Sequence, residues 1–236
     1  MTNFHPGVIE GIKSSNIFLV ETDDIQDFSL LLNKEVLYEK YLTIDELDKM
    51  KNLAYFHTMS FDRVMRMKPW LLAVIFNSPR PINPFNQDNL LKTKAIDLSL
   101  MTQGLESVQE HFSVLDTFSV KEQISMLKIV LNRDESNKEK DYELLVNAYL
   151  KFNPEYILQI DEQVTKKIVS KAMWNKMKQK LLINRNKLFF ERILEKEEKN
   201  QLFIAVGASH LGGKNGLLNL FKENGYVLKP LLPLVK

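Results

Sequence analysis

Four polar residues stand at points of the sequence where chemistry could be done: Glu21, Glu106, Arg185 and His210. Glu21 ends the apolar run Ile17-Phe18-Leu19-Val20. Glu106 follows Gly104-Leu105 at the end of a weaker run, and His210 closes Gly207-Ala208-Ser209-His210 directly after the apolar run from Leu202 to Val206. If each run is a strand, these three side chains lie just past a carboxyl end, which is where open α/β sheets bind their ligands. Carboxylate and imidazole are common ligands of divalent metals and common general acids and bases. Arg185 interrupts the helical pattern of Leu181 to Asn186, and a guanidinium can clamp a carboxylate or stabilise an oxyanion. Plainer readings stand beside these: a solvated loop Glu, an incidental His in a Gly-rich loop, a surface Arg. His57 beside Phe56 and His111 after Glu110 read as residues outside any site. No His-Glu-x-x-His, Gly-x-Ser-x-Gly, P-loop or dinucleotide fingerprint is present.

Strands flanked by helices are needed to bring such groups together. Residues 17–20 read as a buried strand, 100–106 as a weak one, 202–206 as the clearest, and Tyr226-Val227-Leu228 as a short last one. Helices are predicted over 6–15, with Pro6 in the first turn; from the capping box Thr43-Ile44-Asp45-Glu46; over 62–76, broken near Lys68 by Pro69; over 89–99; and from a second capping box at Ser119 to Glu122, with Ile124, Leu127 and Leu131 on one side. Helix also covers 142–150, nearly all of 155–198 with a break around Ile183 to Asn186, and 215–224, closed by Gly225. Ser78 to Pro84 reads as a loop, and Arg133 to Asp141 as an exposed charged turn. The lysines at 166, 167, 171, 176, 178 and 180 read as a solvated helix face. Gly212 and Gly213 read as close backbone passage or a tight turn. The fold class is α/β, a mixed β-sheet surrounded by many helices, in one domain spanning 1–236.

Bulk properties narrow the function classes. With 236 residues, 44% of them hydrophobic and 26% charged, the chain has the make-up of an ordinary globular protein. A net charge of +2 gives no reason to expect nucleic acid or an anionic membrane as partner. The absence of Cys excludes disulfides and Cys-based zinc sites. No apolar run approaches the roughly 18 residues of a membrane span, and Met1 to Pro6 do not form a signal peptide. The compartment stays open.

Taken together, these segments resemble the TraB/GumN family, which includes the Tiki proteins, over nearly the whole chain. The strongest likeness is Phe203 to Tyr226, where Val206-Gly207-Ala208-Ser209-His210-Leu211-Gly212-Gly213 leads into a Gly-Leu-Leu helix and then Gly-Tyr. Gly104-Leu105-Glu106-Ser107 resembles the family's Gly-Leu-Glu-Thr segment, and Arg185-Asn186 its Arg-Asn pair. Ala148-Tyr149-Leu150, Pro6-Gly7-Val8, Val20-Glu21-Thr22-Asp23 and Lys68-Pro69-Trp70 add further matches. The resemblance implies a fold shared with erythromycin esterase and ChaN-like proteins, and a metal-dependent peptidase activity on peptide or protein substrates. By that likeness His210 is a metal ligand, Glu21 and Glu106 are ligand and general base in unassigned order, and Arg185 holds a substrate carboxylate or oxyanion. The metal would be divalent: manganese, cobalt or zinc.

One departure bears on activity. The family's first strand, ending in a first Gly-x-x-His ahead of the Pro6 segment, has no counterpart in this sequence. The expectations that follow are weakened metal binding, little peptidase activity, and an exposed strand edge that favours self-association. Export depends on sequence upstream of Met1. Two other readings compete: a non-catalytic protein that binds or sequesters peptides, and a hydrolase of an ester or lactone.

Overall fold

A computed structural model describes residues 4–33, 36–79 and 86–231. Among these residues the sheet has three strands, β1 (Ile17–Thr22), β2 (Met101–Glu106) and β3 (Leu202–Ala205), in the order β2-β1-β3. Both pairings are parallel, with Val20 opposite Gly104 on one side and Ala205 on the other. Residues 17–20 of the central strand are all buried, as befits a parallel strand covered on both faces. Ile17 and Leu19 pack with Leu105 under Phe189, Phe190 and Ile193 of α11 (Asn184–Glu197) and Leu217 of α12 (Leu217–Glu223). Phe18 and Val20 face the other way, onto Ile12 of α1 (Pro6–Lys13) and Leu91 and Ala95 of α5 (Gln87–Asp97).

Among the described residues the sheet is parallel throughout, and the expected mixed sheet is corrected. Tyr226 to Leu228 form no strand. Gly225 takes a φ of +88°, the Gly225 N–H donates to Lys222 O, and the Tyr226 N–H donates to Phe221 O at 3.1 Å. These are the two bonds of a Schellman helix end. They turn the Tyr226 ring edge-on to Phe221 and leave Val227 83% exposed.

A second, all-helical core joins Tyr38 to α2 (Ile44–Phe56), α4 (Pro69–Asn77) and α7 (Val120–Leu131) through Met50, Leu72, Phe76, Ile124 and Leu127. Thr43 and Ser119 cap α2 and α7 with both bonds of a capping box. The break before Pro69 falls between α3 (Phe61–Val64) and α4, which Pro69 opens. Trp70 fastens this core to α6 (Val108–Asp116). It packs on Val108 and Phe112, and its Nε1–H and the Lys68 ammonium both donate to Asp116.

Three further expectations are corrected. Most of Arg133 to Asp141 lies in α8 (Glu135–Tyr149), not in an exposed turn. Glu and Lys are good helix formers, and the charges pair: Asp141 is buried between Arg133 and Lys167, with Lys167 2.5 Å away. The solvated lysine face is corrected in the same way: Lys166 and Lys178 pair with Glu162, Lys167 with Asp141 and Lys176 with Glu122. The helix break expected near Ile183 falls earlier, between α9 (Pro154–Thr165) and α10 (Lys171–Met177). From Lys171 the helix runs on through a π-helical segment, Lys178–Ile183, straight into α11. Within the Ser78 to Pro84 loop, everything past Pro79 lies outside the described residues.

Candidate active site at the strand ends

Each of the four singled-out residues is delivered by its own element to the carboxyl edge of the sheet. Glu106 ends β2 and pairs in register with Thr22, so Glu21 stands beside it on β1. Gly104 permits this closeness. Its N–H donates to Asp23 Oδ1 at 2.8 Å, and a Cβ there would stand 2.6 Å from the backbone nitrogen of Asp23, inside van der Waals contact. His210 follows β3 in a single 3-10 turn, Ala208–His210. That turn is tied to α9 by the Ser209 hydroxyl, which donates to Asp161 at 2.8 Å. Gly212 passes the backbone of Pro154 so closely that a Cβ would come within 2.4 Å of its carbonyl oxygen. Arg185 is the second residue of α11, directly after the π-helical segment. Such segments are frequent at functional sites, and here Leu181 O in that segment accepts from Arg185 Nη1 at 3.2 Å.

Arg185 sits at the centre. Its Nη2 donates to Glu21 Oε2 and to Glu106 Oε1, each at 2.7 Å. Nε donates to Glu106 Oε1 at 3.0 Å, and Nη1 donates to His210 Nε2 at 3.2 Å as well as to Leu181 O. A guanidinium has five N–H donors, and these contacts account for all of them. The plane also lies over the Phe189 ring, 5.0 Å from its centroid. The side chains of Arg185, Glu106 and His210 are 7%, 1% and 5% exposed; Glu21 is 25% exposed.

Those contacts set the charge states. Burial pushes Glu106 up, but its bonds to His111 and Arg185 outweigh that and hold it below the usual carboxylate range. Burial acts the same way on Glu21. The opposing charge of Arg185 and the N–H of Gly207, 2.6 Å from Glu21 Oε1, bring the net shift down. His210 is pushed down to about 4 by burial and then by the positive charge of Arg185. It is therefore a neutral imidazole at neutral pH. Its Nε2 accepts from Arg185 and its Nδ1–H donates to Asn186 Oδ1 at 2.5 Å. Because His210 is uncharged, we assign the lowering of Glu21 to Arg185 and Gly207.

Sequence reasoning missed two members of the cluster. His111 Nδ1 lies 2.7 Å from Glu106 Oε1 and 3.3 Å from Arg185 Nη2. A third capping box was the available signal. Ser107 caps α6 with Glu110 as its partner, so the helix cap is the residue after Glu106 and the first turn carries His111 back over the carboxylate. Asn186, noted for the Arg-Asn pair, orients His210, and its amide donates to Asn215 O at 2.8 Å. His57 packs between the Phe56 and Phe76 rings in the helical core. His5 caps α1, its Nδ1 accepting from the Gly7 N–H.

Comparison with known sequences settles the lineage, because the profile of the TraB/PrgY/gumN family matches residues 1–230. The chain belongs to the TraB/PrgY/gumN family. No curated protein and no solved structure matches it. In this TraB/PrgY/gumN chain the donors expected to share a divalent metal, His210, Glu21 and Glu106, instead share the guanidinium of Arg185. Among the described residues no three His, Asp or Glu side chains are grouped to hold an ion. As arranged, the donor set does not fit a metal, because Arg185 already occupies Glu21 Oε2, Glu106 Oε1 and His210 Nε2. Among the described residues no helix is long and apolar enough to cross a membrane.

Proposed function

We propose that the chain is a hydrolase of the TraB/GumN type that cleaves a peptide or another acyl bond at the carboxyl edge of the sheet. The observation that carries this reading is the convergence of Glu21, Glu106, Arg185 and His210 from separate elements onto one polar cluster beside the strand ends. Hydrolysis needs a base for water and positive charge near the developing oxyanion. Arg185 supplies the charge, and the cluster holds it in a low-exposure setting where charge acts strongly. The base must be a group that solvent reaches, which leaves Glu21 and His111, whose side chains are 25% and 26% exposed. His210 and Asn186 serve as rigid support.

A second reading, binding of peptides without turnover, is favoured by one observation: every N–H of Arg185 is already taken. A substrate oxyanion or carboxylate can bond to the guanidinium only by displacing one of its present partners, and Glu21 is the most exposed of the acidic ones. The test is direct. The purified chain is incubated with fluorogenic peptide amides and with fatty-acyl p-nitrophenyl esters. Cleavage of one class supports the hydrolase. Binding of the peptides in calorimetry with no cleavage supports the second reading.

A further inference from the structure

We propose that His111 is the general base of this centre, held in its working tautomer by Glu106; the inference rests on the hydrolase reading above. Two imidazoles touch the cluster, and their environments differ in the feature that matters. His210 has both ring nitrogens engaged, Nδ1 by Asn186 and Nε2 by Arg185, and its side chain is 5% exposed. Its basic lone pair is spent on a guanidinium. Among the described residues His111 has only Nδ1 engaged, by Glu106 Oε1 at 2.7 Å, with Arg185 Nη2 3.3 Å away. Glu106 is ionised and accepts only, so Nδ1 carries the proton and the lone pair lies on Nε2. Among the described residues that Nε2 is not sealed from solvent, and the side chain is 26% exposed. A buried carboxylate that orients an imidazole through Nδ1–H, leaving Nε2 toward solvent, is the arrangement of a carboxylate-supported base.

The other solvent-reached candidate is weaker. Glu21 is tied to Arg185 Nη2 and to the Gly207 N–H, and a carboxylate so stabilised is a poor proton acceptor. The support under His111 is rigid, as positioned catalytic groups require. Glu110, the residue before it, binds Arg192 through both oxygens at 2.6 and 3.1 Å, and Arg192 also donates to Leu105 O at 2.6 Å. This ties the first turn of α6 to α11, the helix that carries Arg185. The Phe112 ring lies edge-on to His111, 5.4 Å away.

Nε2 of His111 takes one proton from water as the water oxygen bonds to the acyl carbon, and the carbonyl electrons move onto the carbonyl oxygen. The imidazolium so formed is offset by Glu106. Collapse of the tetrahedral intermediate breaks the bond to the leaving nitrogen or oxygen, which takes the proton back from Nε2. One water is consumed, and His111 ends as it began.

The test uses the full chain and the peptide amides named above; esters are avoided here because free imidazole attacks them unaided. His111→Gln retains an N–H for Glu106 and has no basic nitrogen. It should lower kcat/KM by about 10²- to 10⁴-fold, the usual worth of a general base, with an unchanged circular dichroism spectrum. His111→Ala should recover part of its rate when imidazole is added. A His111→Gln rate within about threefold of wild type overturns the assignment and leaves the hydrolase reading standing. A loss in both variants with no recovery by imidazole overturns it in favour of a supporting role. Absence of cleavage of any amide or ester by the wild type overturns both.

Discussion

Arg185 and Glu106 form a buried two-point ion pair: Nη2 and Nε reach Glu106 Oε1 at 2.7 and 3.0 Å, with both side chains almost wholly enclosed. The pair joins α11 to the end of β2 and holds the cluster together.

Removing its cation should therefore damage stability as well as activity. Arg185→Ala strands two carboxylates, and breaking a buried pair in this way costs about 3–5 kcal/mol. Arg185→Lys keeps the charge but has no planar fork for Glu106 and Glu21 together. It should recover part of the stability and little of the activity. Denaturant midpoints for the three proteins check the order wild type, Lys, Ala. A midpoint for Arg185→Ala equal to wild type would show that the cluster contributes nothing to the fold.

Gly104→Ala should disturb the cluster without touching it. The added methyl would meet the Asp23 backbone nitrogen at 2.6 Å, so the chain leaving β1 must shift and carry Glu21 with it. The expected outcome is a loss of about 1–3 kcal/mol, as for overpacking in a tight site, together with reduced turnover. A variant as stable and as active as wild type would mean that the strand ends are not held in close register.

Acid should destabilise the cluster. The pKa of His210 is depressed to about 4 in the folded chain, chiefly by burial, against an ordinary value of about 6.5. Below that ordinary value the unfolded chain binds the extra proton and the folded chain does not. The contribution is thus fully present above about pH 6.5 and is lost as pH falls toward 4. Glu21 and Glu106, held below the usual range, add loss of the same sign at lower pH. Unfolding midpoints between pH 7 and 4 should fall more steeply for wild type than for His210→Gln. Parallel curves would show that His210 titrates normally.

Charge should also select the substrate. Glu21 and Glu106 against the Arg185 guanidinium and the neutral His210 leave one net negative charge. Asp88 nearby is pushed up by burial and by the negative charge of Glu21. Peptide amides bearing a Lys or a free amino terminus should have lower KM than matched amides bearing Glu. The reverse order would indicate that Arg185 lets go of Glu21 to capture a substrate carboxylate, the role its residue type suggests on sequence alone.

What could be read from the sequence follows from how local each signal is. The run from Ile17 to Val20 and the capping boxes at Thr43 and Ser119 are short-range patterns, and the strands and helix starts appear where those patterns lie. The rule that ligand groups gather past strand ends was enough to single out Glu21, Glu106 and His210. It could not show that Arg185 lies among them, because Arg185 stands on a helix, α11, and meets Glu21 and Glu106 only through long-range packing. The final strand at Tyr226 was misread because apolar content says nothing of hydrogen-bond direction, and its N–H turns back to Phe221. Asp141 was misread because a run of charges looks solvated until its partners, Arg133 and the distant Lys167, are seen in place.

Glu106→Gln tests most directly whether the cluster around Arg185 is a hydrolytic centre. The substitution keeps the side chain's shape and removes the charge that pairs with Arg185 and orients His111. With peptide amides or acyl esters as probes, the expected result is a fall in kcat/KM of at least about 10²-fold in a protein whose circular dichroism spectrum is unchanged. A folded Glu106→Gln chain that cleaves the same probes at the wild-type rate would contradict the account.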